Sequence, residues 1–175
     1  MIMKRFLSAL ALAVVSFAAV AGCGKPFDVK TAPGFVALEG QSQHEYRATT
    51  PEGVVMGVRV VDDEKRGDLA FWTQALVLQL RDSSGYALLD SKDTKSLDGT
   101  AGRRLVFAHD ENGTPYTYWV TIYLAQGRLF VVEAGGENAT FERAKPSVEW
   151  MMQSVKVKCD SMVAPVLASR TCNRW

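Results

Sequence analysis

The feature that most constrains the fold is a run of three strand-like segments separated by two very short links. The first link contains Asn112 and Gly113, a pair that tolerates positive φ angles, and the second is residues 125–128. Strands joined by such short turns must run antiparallel. An antiparallel meander is therefore predicted, with strands at residues 103–109, 115–124 and 129–134.

Further strand candidates lie on both sides of this meander. Residues 54–61 alternate between two faces, and one face is wholly apolar with Val54, Met56, Val58 and Val60. This alternation predicts a half-buried strand. Shorter apolar segments are also predicted as strands: residues 34–39, 45–49, 86–90 and 155–159.

One stretch before the meander carries apolar side chains at helical spacing. It covers residues 69–82 and follows Asp68, whose carboxylate can accept the free amides of the first helical turn. Ser83, Ser84 and Gly85 follow this stretch and are predicted to end the helix, since Gly85 can adopt a left-handed conformation. A helix over residues 69–82 is therefore predicted.

A second helical pattern follows the meander and covers residues 141–155. Gly135 and Gly136 are predicted to break the sheet before it, and Asn138 is its predicted N-cap. Pro146 predicts either a kink or the first residue of a second helical piece.

The order of these elements predicts an α+β fold, in which an antiparallel β-sheet is flanked by helices. The central strands carry apolar residues on both faces. Either a helix covers each face, or one face is covered incompletely and binds another molecule.

The first 22 residues have the pattern of a secretory signal peptide. Lys4 and Arg5 precede an apolar run over residues 6–21, whereas a bilayer-spanning helix needs about 20 apolar residues. An uncleaved membrane helix is the alternative. The run ends in a sequence that resembles the lipobox of bacterial lipoproteins: Val20-Ala21-Gly22-Cys23.

This resemblance implies cleavage before Cys23 and attachment of acyl chains, such as palmitate, to that cysteine. More than one acyl chain anchors a protein stably. Gly24 follows, where enterobacterial lipoproteins retained in the inner membrane usually have Asp, and this favours the outer membrane with the domain facing the periplasm. The predicted organisation is a signal peptide, a lipidated tether, a folded domain and a C-terminal tail: residues 1–22, 23–33, 34–158 and 159–175.

The other two cysteines lie near the C-terminus. Cys159 and Cys172 form an even pair in an exported domain, which favours a disulfide that pins the tail onto the domain. The closed loop of about 14 residues corresponds to roughly 3 kcal/mol of stabilisation in the simple chain-entropy treatment. The alternatives are two free thiols or a redox pair, although a redox pair usually has Cys-x-x-Cys spacing.

Several segments of the domain carry a recognisable set of packing and turn residues. They include Phe71-Trp72, Leu97-Asp98-Gly99, residues 127–132 and residues 151–155. This set, spread over about residues 34–158, resembles the PsbP-like superfamily, which includes DcrB-like bacterial lipoproteins. The resemblance implies an α/β/α sandwich around an antiparallel sheet, and a non-catalytic accessory or assembly role that is often membrane-associated.

The chain lacks the motifs of catalytic and cofactor sites. His44 and His109 have no metal-binding spacing and are interpreted as surface or strand-end residues. A Gly-x-Ser-x-Gly elbow, a phosphate-binding loop and a calcium loop are also absent from the sequence. Trp119 and Tyr123 share a strand face that either a helix covers or a partner contacts. We expect no enzyme activity, no metal and no cofactor.

These observations predict a membrane-anchored envelope protein. The formal net charge of +1 gives no electrostatic reason to expect nucleic-acid binding. We expect a non-catalytic protein-binding or assembly accessory factor whose partner is another envelope protein. The alternative is a periplasmic binding module for a small apolar ligand, which the two apolar sheet faces favour. An enzyme assembled from distant residues is a third hypothesis.

Overall fold

The described part of the chain, residues 25–40 and 43–157 of a computed structural model, forms one seven-stranded antiparallel sheet with a helix on each face. This arrangement confirms the predicted α+β class. The segments 1–22 and 159–175, with Cys23, Cys159 and Cys172, lie outside the described residues. The strands, in sheet order, are β1 (Val36–Leu38), β2 (Tyr46–Thr49), β3 (Val55–Asp62), β7 (Arg128–Glu137), β6 (Thr114–Ala125), β5 (Ala101–Glu111) and β4 (Ala87–Lys95).

Strands β5, β6 and β7 form the predicted meander. Asn112 and Gly113 connect β5 to β6 with φ angles of 54° and 83°, and Gln126 and Gly127 connect β6 to β7 with φ angles of 54° and 71°. Two consecutive positive φ angles match the right-handed twist of paired strands, which is why two-residue links suffice here.

Helix α1 (Leu69–Ser84) begins at the predicted residue and ends two residues later than predicted, directly before Gly85. Asp68 accepts a hydrogen bond from the backbone amide of Phe71 at 2.7 Å, and Gly85 has a φ of 69° in the left-handed region. None of the α1 residues, all of which are described, is fully buried. The helix packs over β4, β5 and β6 through a partly buried apolar stripe that includes Trp72 and Leu76.

Gly135 and Gly136 do not break the sheet, so this prediction is wrong. Both residues lie within β7, where they pair with Tyr118 and Thr117 of β6. A Cβ at Gly135 would lie 3.1 Å from the Tyr118 ring, and one at Gly136 would lie 3.1 Å from the Val54 side chain. The glycines therefore allow close approach of neighbouring groups and do not end the strand.

Helix α2 (Asn138–Gln153) differs from its prediction in two respects. Asn138 is the first helical residue and not the N-cap, and its side-chain oxygen accepts a hydrogen bond from the Thr117 hydroxyl at 2.8 Å. Pro146 lies inside one continuous helix, so no second helical piece begins there. The face that α2 turns to the sheet buries Phe141, Val148, Met151 and Met152.

Residues N-terminal to β1 also belong to the core beneath α2. Phe27 and Ala32, from the segment predicted as a tether, are buried in the same cluster as the α2 side chains. The backbones of Asp28 and Lys156 exchange two hydrogen bonds of 3.1 Å and 2.9 Å. Of the strand predicted at residues 155–159, the structure describes residues 155–157, and their β-pairing is this single bridge. Within residues 25–40 and 43–157, the helices are too short or too polar to cross a bilayer.

Candidate functional site

The two helices cover the sheet unequally. Helix α1 packs over β4, β5 and β6, and its apolar stripe also helps to bury Leu129 and Val131 of β7. The parts of the same face that lie open beside it are β2, β3 and the Gly135 end of β7. We call this region the open α1 face. It contains a polar cavity of about 440 Å³ and an apolar groove of about 320 Å³. The polar cavity is walled mainly by His44, Arg47, Gly57, Tyr118, Glu133 and Gly135. The apolar groove is walled mainly by Val61, Trp72, Leu76, Gln79, Ile122 and Leu129.

The polar cavity exists because two neighbouring strands have glycine on this face. Gly57 of β3 pairs with Glu133 of β7, and Gly135 of β7 pairs with Val55 of β3. A Cβ at Gly57 would lie 2.6 Å from Cδ2 of His44, closer than such atoms can approach. Glycine at position 57 is therefore required for the observed position of the His44 ring.

A buried carboxylate lies at the centre of the open α1 face. Glu133 Oε1 lies 2.5 Å from His44 Nε2, while Oε2 accepts hydrogen bonds from Arg59 Nη2 at 2.8 Å and from the Tyr118 hydroxyl at 2.6 Å. The Glu133 and His44 side chains are only 13% and 16% exposed. Side chains from β3, from β6 and from the segment before β2 thus converge on one carboxylate of β7.

The environment of Glu133 fixes its charge. Burial alone would raise the pKa of this carboxyl, but hydrogen bonds from Tyr118 and His44 and the Arg59 guanidinium outweigh burial and hold the pKa below its usual value. Burial and the neighbouring Glu133 charge raise the pKa of Tyr118 well above its usual value. At neutral pH the cluster therefore contains an ionised Glu133 and a protonated Tyr118 that donates to it.

An aromatic wall closes the side of the cavity nearest β4. Tyr86 stacks on His109 with 4.7 Å between ring centroids, and it lies 5.4 Å from the Tyr118 ring. His109 thus lies near the end of β5, as interpreted from the sequence. His44 also lies near a strand end, but its side chain is enclosed rather than at the surface.

The charged loop between β3 and α1 positions one side chain that lines the apolar groove. Asp63 Oδ1 accepts hydrogen bonds of 3.1 Å from both the Trp72 indole and the Gly67 amide. These bonds fix the Trp72 ring at the edge of the groove. Arg59 also lines the groove while it binds Glu133, so it connects the groove to the polar cavity.

The remaining sequence candidates lie elsewhere. Trp119 packs against Phe141 of α2 at 5.2 Å between centroids, and both Trp119 and Tyr123 are buried. The alternative of an exposed aromatic patch at these residues is therefore wrong. The described residues contain no group of three His, Cys, Asp or Glu side chains that could hold a metal ion.

Sequence reasoning missed the contact between His44 and Glu133, which are 89 residues apart in the chain. One signal was available. Glu133 is the only charged residue in the otherwise apolar segment 129–134. A charge on a buried strand needs a partner, so this residue marked a polar cluster even though the sequence did not identify its partners.

Comparisons with known proteins identify the fold. No protein-family model matches the chain, and no curated protein matches its sequence. Among solved structures, the chain is similar to LpqN of Mycobacterium tuberculosis, with a TM-score of 0.60 and 14% identity over 75% of this chain and 83% of that one. It is also similar to the Saccharomyces cerevisiae Ran-binding protein Mog1p, with a TM-score of 0.56 and 12% identity over 75% and 90% of the chains.

A third similar structure is the cyanobacterial PsbP (CyanoP) of Synechocystis, with a TM-score of 0.50 and 12% identity over 81% and 98% of the chains. At such low identity these likenesses show the fold alone. The chain has the fold shared by Mog1 and PsbP, and the predicted PsbP-like α/β/α sandwich is confirmed.

Proposed function

We propose that this chain is a lipid-anchored protein of the bacterial cell envelope that acts as a non-catalytic binding or assembly accessory factor. Its location is supported by the lipobox at Cys23 and by the fold it shares with LpqN, which is described as involved in cell envelope biogenesis. A binding role is supported by the same fold in Mog1p, a Ran-binding protein. The sequence pattern favours the outer membrane, with the domain facing the periplasm.

The observation that carries this proposal is the incomplete cover of one sheet face. Helix α1 has no buried residue, and the sheet beside it presents an apolar groove next to a polar cavity. Interfaces commonly combine an apolar core with polar groups and aromatic side chains. The open α1 face has this composition, since Trp72 and Ile122 line the groove while Arg59 and Glu133 lie between groove and cavity.

The chemistry of the polar cavity also favours binding over catalysis. Glu133 already has three hydrogen-bonding partners, namely His44, Arg59 and Tyr118. Tyr118 stays protonated because its pKa is raised, so its hydroxyl donates to Glu133. The hydroxyl of Thr117, another lining residue, donates to Asn138. These groups satisfy one another, whereas a catalytic acid, base or nucleophile must be available to a substrate.

Site-specific crosslinking in the native host tests the proposed surface. A photoreactive amino acid replaces Gln79, which lines the apolar groove, and Glu142, an exposed residue of α2, serves as the matched control on the opposite face. We expect the same envelope protein to be captured repeatedly from position 79 and not from position 142. Ala75→Trp, which fills the groove, should abolish that capture. Equal capture from both positions, or capture that survives Ala75→Trp, would contradict the proposal.

A second candidate function is a binding module for a small ligand. Its support is the size of the polar cavity, because about 440 Å³ lies within the range of roughly 300–1,000 Å³ for small-molecule sites. Tyr116, Tyr118 and Glu133 make the cavity polar, so it suits a polar ligand better than the apolar one expected from the sequence.

Native mass spectrometry of the protein from its own host tests this candidate. A small molecule released from the wild type should be absent from Val55→Trp, which fills the cavity, and present in Val61→Trp at the far end of β3. An identical mass for all three proteins in their native and denatured states would refute ligand binding.

The proposed disulfide has a separate test. Peptide mapping of the exported protein without reduction should yield one peptide pair that links Cys159 to Cys172. Recovery of both cysteines as free thiols from protein alkylated before lysis would refute the pairing.

A further inference from the structure

We propose that the domain lies directly on the bilayer in one orientation, with a defined end of the sandwich in the lipid headgroup layer. We call it the proximal end; it carries Lys25, Val61, Phe71, Leu97 and Trp150. This inference rests on the proposed lipid anchor at Cys23. It goes beyond that anchor because it names the surface that contacts the membrane.

The register of the sheet brings several chain segments together at this end. Asp62 at the end of β3 pairs with Arg128 at the start of β7, which also pairs with Ala125 at the end of β6. Lys95 at the end of β4 pairs with Ala101 at the start of β5. Helix α1 begins at this end because it follows β3. Helix α2 follows β7 at the opposite end of the sheet and runs back, so that it ends near the link from β4 to β5, where the Leu97 amide donates to the Val155 backbone.

The N-terminal segment enters the domain at the proximal end. Asp28 exchanges backbone hydrogen bonds with Lys156, and the backbone of Val155, one residue before it, accepts a hydrogen bond from Leu97 at 2.8 Å. The Lys25 ammonium donates to the backbone oxygen of Glu45 at 2.5 Å. The chain that leads back to Cys23 therefore leaves the folded unit at a fixed position.

The distance to the lipid is short. Phe27 is only 5% exposed and belongs to the core, so three residues separate it from Cys23. Four residue steps span at most about 14 Å when fully extended. A folded unit of this size has a radius of gyration of about 14 Å, so the tether cannot let the opposite end reach the membrane.

The proximal end carries apolar side chains that the described chain covers only in part. Val61, Phe71, Leu97 and Trp150 are 50%, 52%, 50% and 45% exposed. They belong to four separate segments, namely the end of β3, the first turn of α1, the link from β4 to β5 and the last turn of α2. Exposed apolar side chains grouped at one end mark an interaction surface.

Two residues at this end, Lys30 and Trp150, suit the headgroup layer, although the end of β3 and the loop after it also place Asp62, Asp63 and Glu64 here. The Lys30 ammonium lies 5.8 Å from the centroid of the Trp150 ring, and the Lys30 backbone amide donates to the Ser154 hydroxyl at 2.9 Å, which fixes this segment against α2. Tryptophan and lysine are residues that reside at membrane interfaces, with their apolar parts toward the lipid and their polar ends in water.

This orientation has a consequence for the proposed partner. The apolar groove begins at Val61 and Trp72 near the proximal end, and the polar cavity lies farther along the same face. A domain resting on its proximal end presents the open α1 face sideways, along the membrane surface. The fitting partner is therefore a protein that is itself held at the membrane.

Photocrosslinking to lipid tests the orientation in the full lipidated protein, reconstituted in vesicles of phosphatidylethanolamine and phosphatidylglycerol. A photoreactive amino acid replaces Leu97 or Trp150 at the proximal end, and Leu89, which is 65% exposed near the opposite end of β4, is the matched control. We expect about tenfold more lipid adduct at 97 and 150 than at 89, since an interfacial surface enters only about 5–10 Å into the headgroup region.

A second arm tests the role of the apolar side chains. The triple variant Val61→Ser, Phe71→Ser, Leu97→Ser should still float with vesicles but lose most of the lipid adduct at position 150, whereas Leu88→Ser, Leu89→Ser should keep it. Protein that floats but labels equally at 89, 97 and 150 would overturn the orientation alone. Protein that does not float at all would overturn the lipid anchor and this inference with it.

Discussion

The hydrogen bonds and ion pair of Glu133 should contribute measurably to the stability of the domain. Glu133→Gln keeps the shape of the side chain but removes its charge and replaces one acceptor oxygen with a donor. Hydrogen bonds to a buried charged group contribute about 1.5–3 kcal/mol each. Arg59 is 41% exposed, so solvent screens part of its loss. Because the glutamine amide keeps one acceptor oxygen, only part of the three bonds is lost. We therefore expect the free energy of unfolding to fall by about 2–3 kcal/mol at neutral pH, as measured by urea denaturation.

The pH dependence of this loss provides its sharpest check. Because the pKa of Glu133 in the folded protein lies below its ordinary value of 4.5, its contribution is fully present above pH 4.5. The contribution is lost as the pH falls through the lower folded-state value. The stability difference between wild type and Glu133→Gln should therefore shrink on acidification below pH 4.5. Glu137→Gln, at the exposed end of the same strand, should cost little at any pH. A Glu133→Gln loss below about 0.5 kcal/mol, or one unchanged by acid, would refute the reasoning.

Three further predictions concern residues that stabilise the fold. Gly57→Ala should lower the free energy of unfolding by about 1–3 kcal/mol, because the new Cβ overlaps the His44 ring, and His44→Ala should relieve that loss in a double-mutant cycle. Asp68→Ala removes the α1 cap and should cost about 1 kcal/mol in the same measurement; an unchanged value would show that the cap does not stabilise α1. Phe141→Ala should cost about 3–5 kcal/mol, whereas Phe71→Ser, at an exposed position, should change stability little. Equal effects at 141 and 71 would contradict the assignment of the core.

Local sequence signals determined most of the elements. The paired turn residues at 112–113 and 126–127 fixed the meander, and Asp68 and Gly85 fixed the ends of α1. These signals act within a few residues, where backbone preference and capping decide the conformation. The family resemblance predicted how the helices are arranged around the sheet. Solved structures with the same fold confirm this arrangement.

The errors occurred where a local signal has two physical meanings. Gly135 and Gly136 indicate a break when read alone, but here they admit Tyr118 and Val54 from neighbouring strands. Asn138 can cap a helix, but its side chain binds Thr117 on β6 instead. The tertiary structure decides which role each of these residues takes, because the groups that they contact lie far away in the sequence.

The candidate site was less predictable than the fold. The sequence left two alternatives: a helix covers each sheet face, or one face is covered incompletely and binds another molecule. A helix lies on each face, and the incomplete cover of the open α1 face matches the first half of the second alternative. The sequence did not indicate which residues line this face. His44 can contact Glu133 only because Gly57, beneath the His44 ring, has no side chain. These three residues are far apart in the chain, so their contact produces no recognisable sequence spacing.

The most direct test of the whole account is the intact mass of the protein purified from its native host. The proposal predicts a chain that begins at Cys23, with residues 1–22 removed and the mass of a diacylglycerol and an additional acyl group on that cysteine. A protein that still begins at Met1, or a cleaved protein whose Cys23 carries no acyl chain, would contradict it.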